Sequence, residues 1–219
     1  MPKSKNAKRI NLTQTSKKDR EFKSKIISDV REALDEYDGL FLFTYDNMRS
    51  TKFKEVRQEF RDGRVFMGKN KLLQLALGHT EEDEYKENMS QLSKHCKGSV
   101  GLLMTSRPKA EVLAYFEDFS SLDFARAGST CTRTVMLTQD ELEIHPVSMV
   151  DQFRKLGVPV HVLNGKVTLV TQKPHQICKE GRVLSAEECK LLCHFGVKLA
   201  VFKIKVCGAW FEGGDVETY

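Results

Sequence analysis

The chain has 219 residues, 40% hydrophobic and 30% charged, with 35 Lys and Arg against 30 Asp and Glu and a formal net charge of +5. With only 14 Gly and 5 Pro, this composition excludes a disordered chain and leaves apolar mass for one large core or two modest ones. No apolar run approaches the roughly 20 residues that span a bilayer, and the Lys-rich N-terminus has no apolar segment behind it, so the chain is read as intracellular, without a membrane partner.

The charge is segregated. Residues 1–20 carry seven basic groups (Lys3, Lys5, Lys8, Arg9, Lys17, Lys18, Arg20) against Asp19, a net +6. Residues 49–71 carry eight (Arg49, Lys52, Lys54, Arg57, Arg61, Arg64, Lys69, Lys71) against Glu55, Glu59 and Asp62, a net +5, which leaves −6 for the rest. A charge run is often only a solvated face, but two basic blocks on an otherwise acidic chain point to a polyanion-facing surface.

Residues 1–15 hold almost no apolar side chains and are expected to form a basic arm, ordered only when bound, whose lysines also suit nuclear import. Ser16-Lys17-Lys18-Asp19 has the form of a capping box, and Phe22, Ile26, Val30, Leu34 and Tyr37 follow at helical spacing, predicting a helix over 17–37. Leu40 to Tyr45 reads as a buried strand. Asn47 and Ser50 turn the chain into a second helix with Phe53, Val56 and Phe60 inward and Lys52, Arg57 and Arg61 on other faces. A strand over Arg64 to Met67 follows, then a helix from Lys71 to Leu77 closed by Gly78. Thr80-Glu81-Glu82-Asp83 is expected to open the next helix, with acids at its positive end. Val100 to Met104 is a further strand, and Pro108 starts a helix packing Val112, Leu113 and Phe116. This alternation argues for an α/β fold, a central sheet with packed helices.

The character changes at Ala125-Arg126-Ala127-Gly128. Beyond it, a strand is expected over Thr132 to Leu137 and a helix from Ser148 to Leu156, ended by Gly157. Val160 to Leu163 and Val167 to Val170 form a hairpin about Asn164-Gly165, a pair that suits a type I′ turn. Ser185-Ala186-Glu187-Glu188 is a clear capping box, opening a helix that Gly196 ends, and Leu199 to Val206 is a strongly apolar strand. The last helix and strand read as a return to the first domain. The expected organisation is therefore a basic arm over 1–16, an α/β domain over 17–125 and 185–219, and a small α/β insertion domain over 126–184.

The segment Arg64-Val65-Phe66-Met67-Gly68-Lys69-Asn70-Lys71 delivers cationic and amide groups to the end of a buried strand. Lys69 and Lys71 can neutralise phosphate, Asn70 can donate and accept hydrogen bonds, and Gly68 lets the backbone approach closely or turn through positive φ. The same residues also fit an ordinary strand-to-helix loop with solvated lysines. The six cysteines include no C-x-x-C pair and read as free thiols. Cys189 and Cys193, one turn apart beside His194, suit either a metal or, more simply, small apolar packing. The six histidines are dispersed, and no phosphate-binding glycine loop stands between a strand and a helix. No active site assembles, and neither a metal, a cofactor nor an enzymatic role is expected.

In their order and spacing, Gly68-Lys69-Asn70, Gly98-Ser99-Val100-Gly101-Leu102-Leu103, Ala125-Arg126-Ala127-Gly128, Gly165 to Val170 and Lys179-Glu180-Gly181 resemble the ribosomal stalk-base family, L-ten in bacteria and P-zero in eukaryotes. Met1-Pro2-Lys3-Ser4-Lys5, Leu12-Thr13-Gln14-Thr15 and Asn47-Met48-Arg49 are similar to a nuclear assembly-factor branch of that family. The resemblance implies an L-ten type rRNA-binding domain carrying an insertion, docked on stalk-base rRNA beside the L-eleven protein. Carried over, the rRNA contacts are Lys52, Phe53, Arg57, Gly68, Lys69, Asn70 and Lys71. Lys3, Lys5, Lys8 and Arg9 are added from charge alone.

A working stalk protein continues into helices that collect small acidic partners and ends in an acidic tail. Only nine residues follow Trp210, and Gly213 to Tyr219 cannot form such helices, so a placeholder is expected rather than a stalk. It would sit on nuclear and nucleolar precursors of the large subunit (pre-60S), passing transiently to the cytoplasm, until P-zero replaces it. The resemblance also implies a release factor of the dual-specificity phosphatase type. Two other readings stand beside this one: a truncated or divergent stalk-base protein of the mature ribosome, and a protein-interaction module acting through the insertion.

Overall fold

The computed structural model describes residues 20–171 and 173–219; the arm expected over 1–16 and the predicted helix start at 17–19 lie outside the described residues. The described elements, in chain order, are α1 (Arg20–Glu36), β1 (Gly39–Asp46), α2 (Ser50–Glu59), β2 (Arg64–Met67), α3 (Asn70–Leu77), α4 (Met89–His95), β3 (Val100–Thr105), α5 (Lys109–Asp118) and β4 (Ser120–Asp123). They continue with β5 (Val135–Leu137), α6 (Gln139–Glu143), α7 (Val150–Lys155), β6 (Val160–Leu163), β7 (Lys166–Leu169), β8 (His175–Cys178), α8 (Ala186–His194), β9 (Ala200–Phe211) and β10 (Asp215–Thr218). The chain divides into two compact units. One holds residues up to 43, 60–107 and 206–219, the other 44–59 and 108–205.

In the first unit the strands run in the order β10-β9-β1-β3-β2, with β2 antiparallel to β3 and β10 antiparallel to β9. Val30, Ala33 and Leu34 of α1, Leu73, Ala76 and Leu77 of α3, and Met89 and Leu92 of α4 share one core with Leu40, Leu42, Leu102, Met104 and Trp210. The i, i+3, i+4 spacing on α1 is what turns a single apolar stripe inward. Gly101 is required by close approach, since a Cβ there would lie 2.4 Å from Cζ of the buried Phe43.

No helix starts at Thr80. Thr80 to Asp83 form a turn, closed by an Asp83 N–H bond to the Thr80 carbonyl, and the next helix, α4, begins at Met89. The carboxylate that serves α4 is Glu84, which accepts from the Asn88 and Ser90 amides at 3.1 Å each. Desolvation is the largest single influence and opposes its charge, but the hydrogen bonds from Ser90 and Asn88 together outweigh it and hold the carboxyl below its ordinary range. β10 is a further departure: Gly213 and Gly214, both at positive φ, fold the chain back so that residues 215–218 pair along β9.

In the second unit β4 runs antiparallel to residues 200–203 of β9, β5 pairs β8, and β6 and β7 form the predicted hairpin. Asn164 (φ 50°) and Gly165 (φ 75°) both take the left-handed conformation that a type I′ turn demands. Gln139 of α6 covers the outer edge of β7, donating to the Val167 carbonyl at 3.1 Å and accepting from the Leu169 amide at 2.9 Å. Leu142, Val150, Phe153, Val160, Val167, Ile177 and Leu184 make the core. Cys189, Leu191 and Leu192 of α8 belong to that same core, and the predicted capping box closes between Ser185 and Glu188.

Candidate nucleic-acid interface

In the first unit, β2 ends at Met67 and α3 starts at Asn70, leaving Gly68 and Lys69 as an exposed connection. Lys69 is extended (φ −71°, ψ 130°) at the helix cap position; its side chain makes no capping bond, while its carbonyl accepts from the Leu72 and Leu73 amides. The first turn of α3 holds no acidic residue. A helix start leaves its leading N–H groups without intrahelical acceptors and carries partial positive charge, and here Lys69 and Lys71 flank it. Neither lysine makes an ion pair among the described residues, and both are exposed. The arrangement fits a phosphate.

Asn70 has a different part. Its side-chain amide donates to the Gly98 carbonyl at 2.9 Å, tying the start of α3 to the turn before β3. Gly68 does not take positive φ, and a Cβ there would meet only Leu73, at 4.0 Å. Neither strain nor packing requires glycine at this position; its lack of a side chain leaves the connection open.

The second unit holds α2. Lys52 is half-buried and bonded to Glu55 at 2.7 and 2.9 Å, an i,i+3 pair of the weakly stabilising exposed kind. Arg57 is exposed, with its guanidinium 5.2 Å from the centroid of the Phe53 ring. Phe53 itself is 5% exposed. The ring of Phe53, expected as a contact, is turned into the core by the same helical period that exposes Arg57, and it lies beneath the guanidinium.

Other charges of the basic block are already committed. Arg64 pairs with Glu36 at 3.3 Å, and Arg49 with Asp123 at 2.8 Å. The residues that are exposed and make no ion pair among the described residues are Lys54, Arg57, Arg61, Lys69 and Lys71. The strand-end group and the α2 group lie in different units. Lys3, Lys5, Lys8 and Arg9 fall outside the described residues. Sequence reasoning gave no role to the Gly98 carbonyl or to the bonds of Arg49, because a backbone acceptor and an ion-pair partner far away in the chain leave no local signature. Among the described residues no group of three or more His, Cys, Asp and Glu side chains is placed to hold a metal ion. Cys178, desolvated and hydrogen-bonded to Cys131 with the sulfurs 3.2 Å apart, is pushed up to about 12 and is not a ready thiolate.

Residues 18–121 match the family described as ribosomal protein L10, and residues 125–197 match a second family, described as the insertion domain in the 60S ribosomal protein of that same group. The chain belongs to the ribosomal protein L10 family, and the expected α/β architecture with an insertion domain holds. The ribosome assembly factor mrt4 of Neurospora crassa is 41% identical, with 96% of this chain and 90% of the relative covered. The ribosome assembly factor mrt4 of Schizosaccharomyces pombe is 39% identical, with 98% and 93% covered. The large ribosomal subunit protein uL10 of Thermococcus sibiricus is 24% identical over 90% of this chain and 58% of its own length.

Proposed function

We propose that this chain is a non-enzymatic ribosome biogenesis factor that binds large-subunit rRNA at the stalk base of pre-60S precursors and holds the site until the stalk protein P-zero replaces it. The observation that carries the reading is the strand end: two lysines that make no ion pair among the described residues flank a helix start without a side-chain cap, in a chain that aligns almost end to end with ribosome assembly factors. The higher identity to those factors, 41% and 39% against 24% for the archaeal ribosomal protein, favours an assembly role over that of a stalk component.

In this reading Lys69 and Lys71 neutralise phosphate, Gly68 admits the RNA backbone, and Asn70 orders the loop. Lys52 and Arg57 act from α2, with the Phe53 ring beneath the Arg57 guanidinium, and the arm residues Lys3, Lys5, Lys8 and Arg9 add charge. The working division is an arm over 1–16, an rRNA-binding domain over 17–125 and 185–219, and an insertion over 126–184, with α8, at the boundary, packed in the insertion's core. The L-eleven protein is the proposed neighbour, a dual-specificity-phosphatase-like protein the proposed release factor, and the nucleolus and nucleus the proposed site of action.

The test is gradient sedimentation of the tagged chain followed by cryo-EM of the particle it rides on. Nuclear large-subunit precursors should carry it with density over the stalk-base rRNA, and polysomes should lack it. Recovery on polysomes would instead identify a component of mature ribosomes.

A further inference from the structure

The proposed function uses neither Asn47-Met48-Arg49, which lead into α2, nor Arg126 in the stretch after β4. All of them lie in the second unit. Asn47 takes the left-handed conformation (φ 53°), and its side-chain amide donates to the Val201 carbonyl of β9 at 3.1 Å. Arg126 donates to the Met48 carbonyl at 3.2 Å. Arg49 donates through Nη2 to the Phe124 carbonyl at 2.6 Å and through Nε to Asp123 Oδ2 at 2.8 Å. The other Asp123 oxygen accepts from the Phe124 amide at 2.6 Å, so that carboxylate is fixed in turn. The Arg49 carbonyl accepts the Phe53 N–H at 2.9 Å, so the residue whose side chain is anchored also begins the helix.

We propose that this loop is a clamp that sets the start of α2, and that Arg49 is a positioning residue for Lys52 and Arg57 rather than a ligand of phosphate. A guanidinium held by a carboxylate and a carbonyl is neutralised where it stands, and the Arg49 and Asp123 side chains are only 29% and 26% exposed. A phosphate reaching the remaining Nη donors of Arg49 would meet a charge that Asp123 already balances. Lys52 lies three residues beyond Arg49 and Arg57 eight, so both take their place from where the helix begins.

The affinity arm of the test rests on the rRNA reading, while hydrogen exchange at the α2 amides needs no RNA. In Arg49→Ala, those amides should exchange about tenfold faster, and affinity for a transcribed stalk-base rRNA fragment should fall about tenfold, with the slope of log affinity against log salt unchanged. A slope shallower by about one with unaltered exchange would make Arg49 a phosphate contact and overturn the clamp. Asp123→Asn separates the two further: a clamp predicts faster α2 exchange and weaker binding, whereas a phosphate-binding Arg49 freed of its carboxylate would bind more tightly. Should Arg49→Ala fail to fold, Asp123→Asn decides. If the unaltered protein does not bind the RNA, the rRNA reading fails and exchange alone judges the clamp, which falls if α2 protection is unchanged in Asp123→Asn.

Discussion

The double substitution Lys69→Ala, Lys71→Ala tests the strand end through the salt dependence of binding. Each phosphate neutralised by a side chain contributes about 0.7 to 0.9 to the slope of log affinity against log salt, because that many counterions are released. Both lysines are exposed and free of ion pairs among the described residues, so each is available for one phosphate. Asn70 donates to the Gly98 carbonyl and carries no charge, so it adds nothing to the slope. The double variant should therefore show a slope shallower by about 1.4 to 1.8. Between 50 and 200 mM salt it should lose about 0.8 to 1.1 decades of affinity less than the unaltered protein. Fluorescence anisotropy with a labelled stalk-base rRNA fragment, read at five or more salt concentrations, gives both slopes. An unchanged slope would show that the two lysines are solvated loop residues, whatever happened to the affinity at a single salt concentration.

Asn70→Ala should leave that slope alone and lower the stability of the first unit by about 1 kcal/mol, the net worth of one hydrogen bond, as read from the urea midpoint. Gly101→Ala should be worse, by about 2 kcal/mol or more, because the new methyl would stand 2.4 and 2.8 Å from ring atoms of a Phe43 that is 1% exposed and has no room to yield. A hydrogen bond from Arg107 holds the Asp62 carboxyl below its ordinary range. A depressed carboxyl stabilises above its unfolded pKa, so the advantage over Asp62→Asn should be full at neutral pH and shrink as pH falls below about 4; an advantage independent of pH would mean that the ion pair contributes nothing. Brief alkylation of the native protein at pH 8, mapped by mass spectrometry, should mark the exposed Cys193 first. Cys96, Cys131 and Cys178 should stay protected, being buried, with desolvation pushing Cys96 up to about 11.

Much of this molecule was legible wherever the information was local. The limits of β2 match the predicted Arg64 to Met67, the Ser185–Glu188 capping box opens α8, and the Asn164-Gly165 turn closes the hairpin. Each of these rests on side-chain period, on a cap within four residues, or on a pair of residues that accept positive φ. The misses have the same origin. Thr80 to Asp83 looks like a helix start, yet the neighbouring Glu84 supplies the carboxylate to α4. β4 and β10 carry no apolar alternation of their own and are strands because β9 lies beside them.

The candidate interface divides in the same way. Amino-acid order determined the sign of the charge over 49–71, the helical face of α2 and the position of the strand end, since these follow from residue type and period alone. Which charges remain available was decided by folding. Arg49 and Lys69 are both cations beside a helix start, but Arg49 meets Asp123, 74 residues away, while no acid reaches Lys69 among the described residues. Folding likewise turned Phe53 into the core and tied the Asn70 side chain to the Gly98 carbonyl. An ion pair or hydrogen bond forms only where distant segments come within about 3 Å, and that closeness is a property of the packed chain.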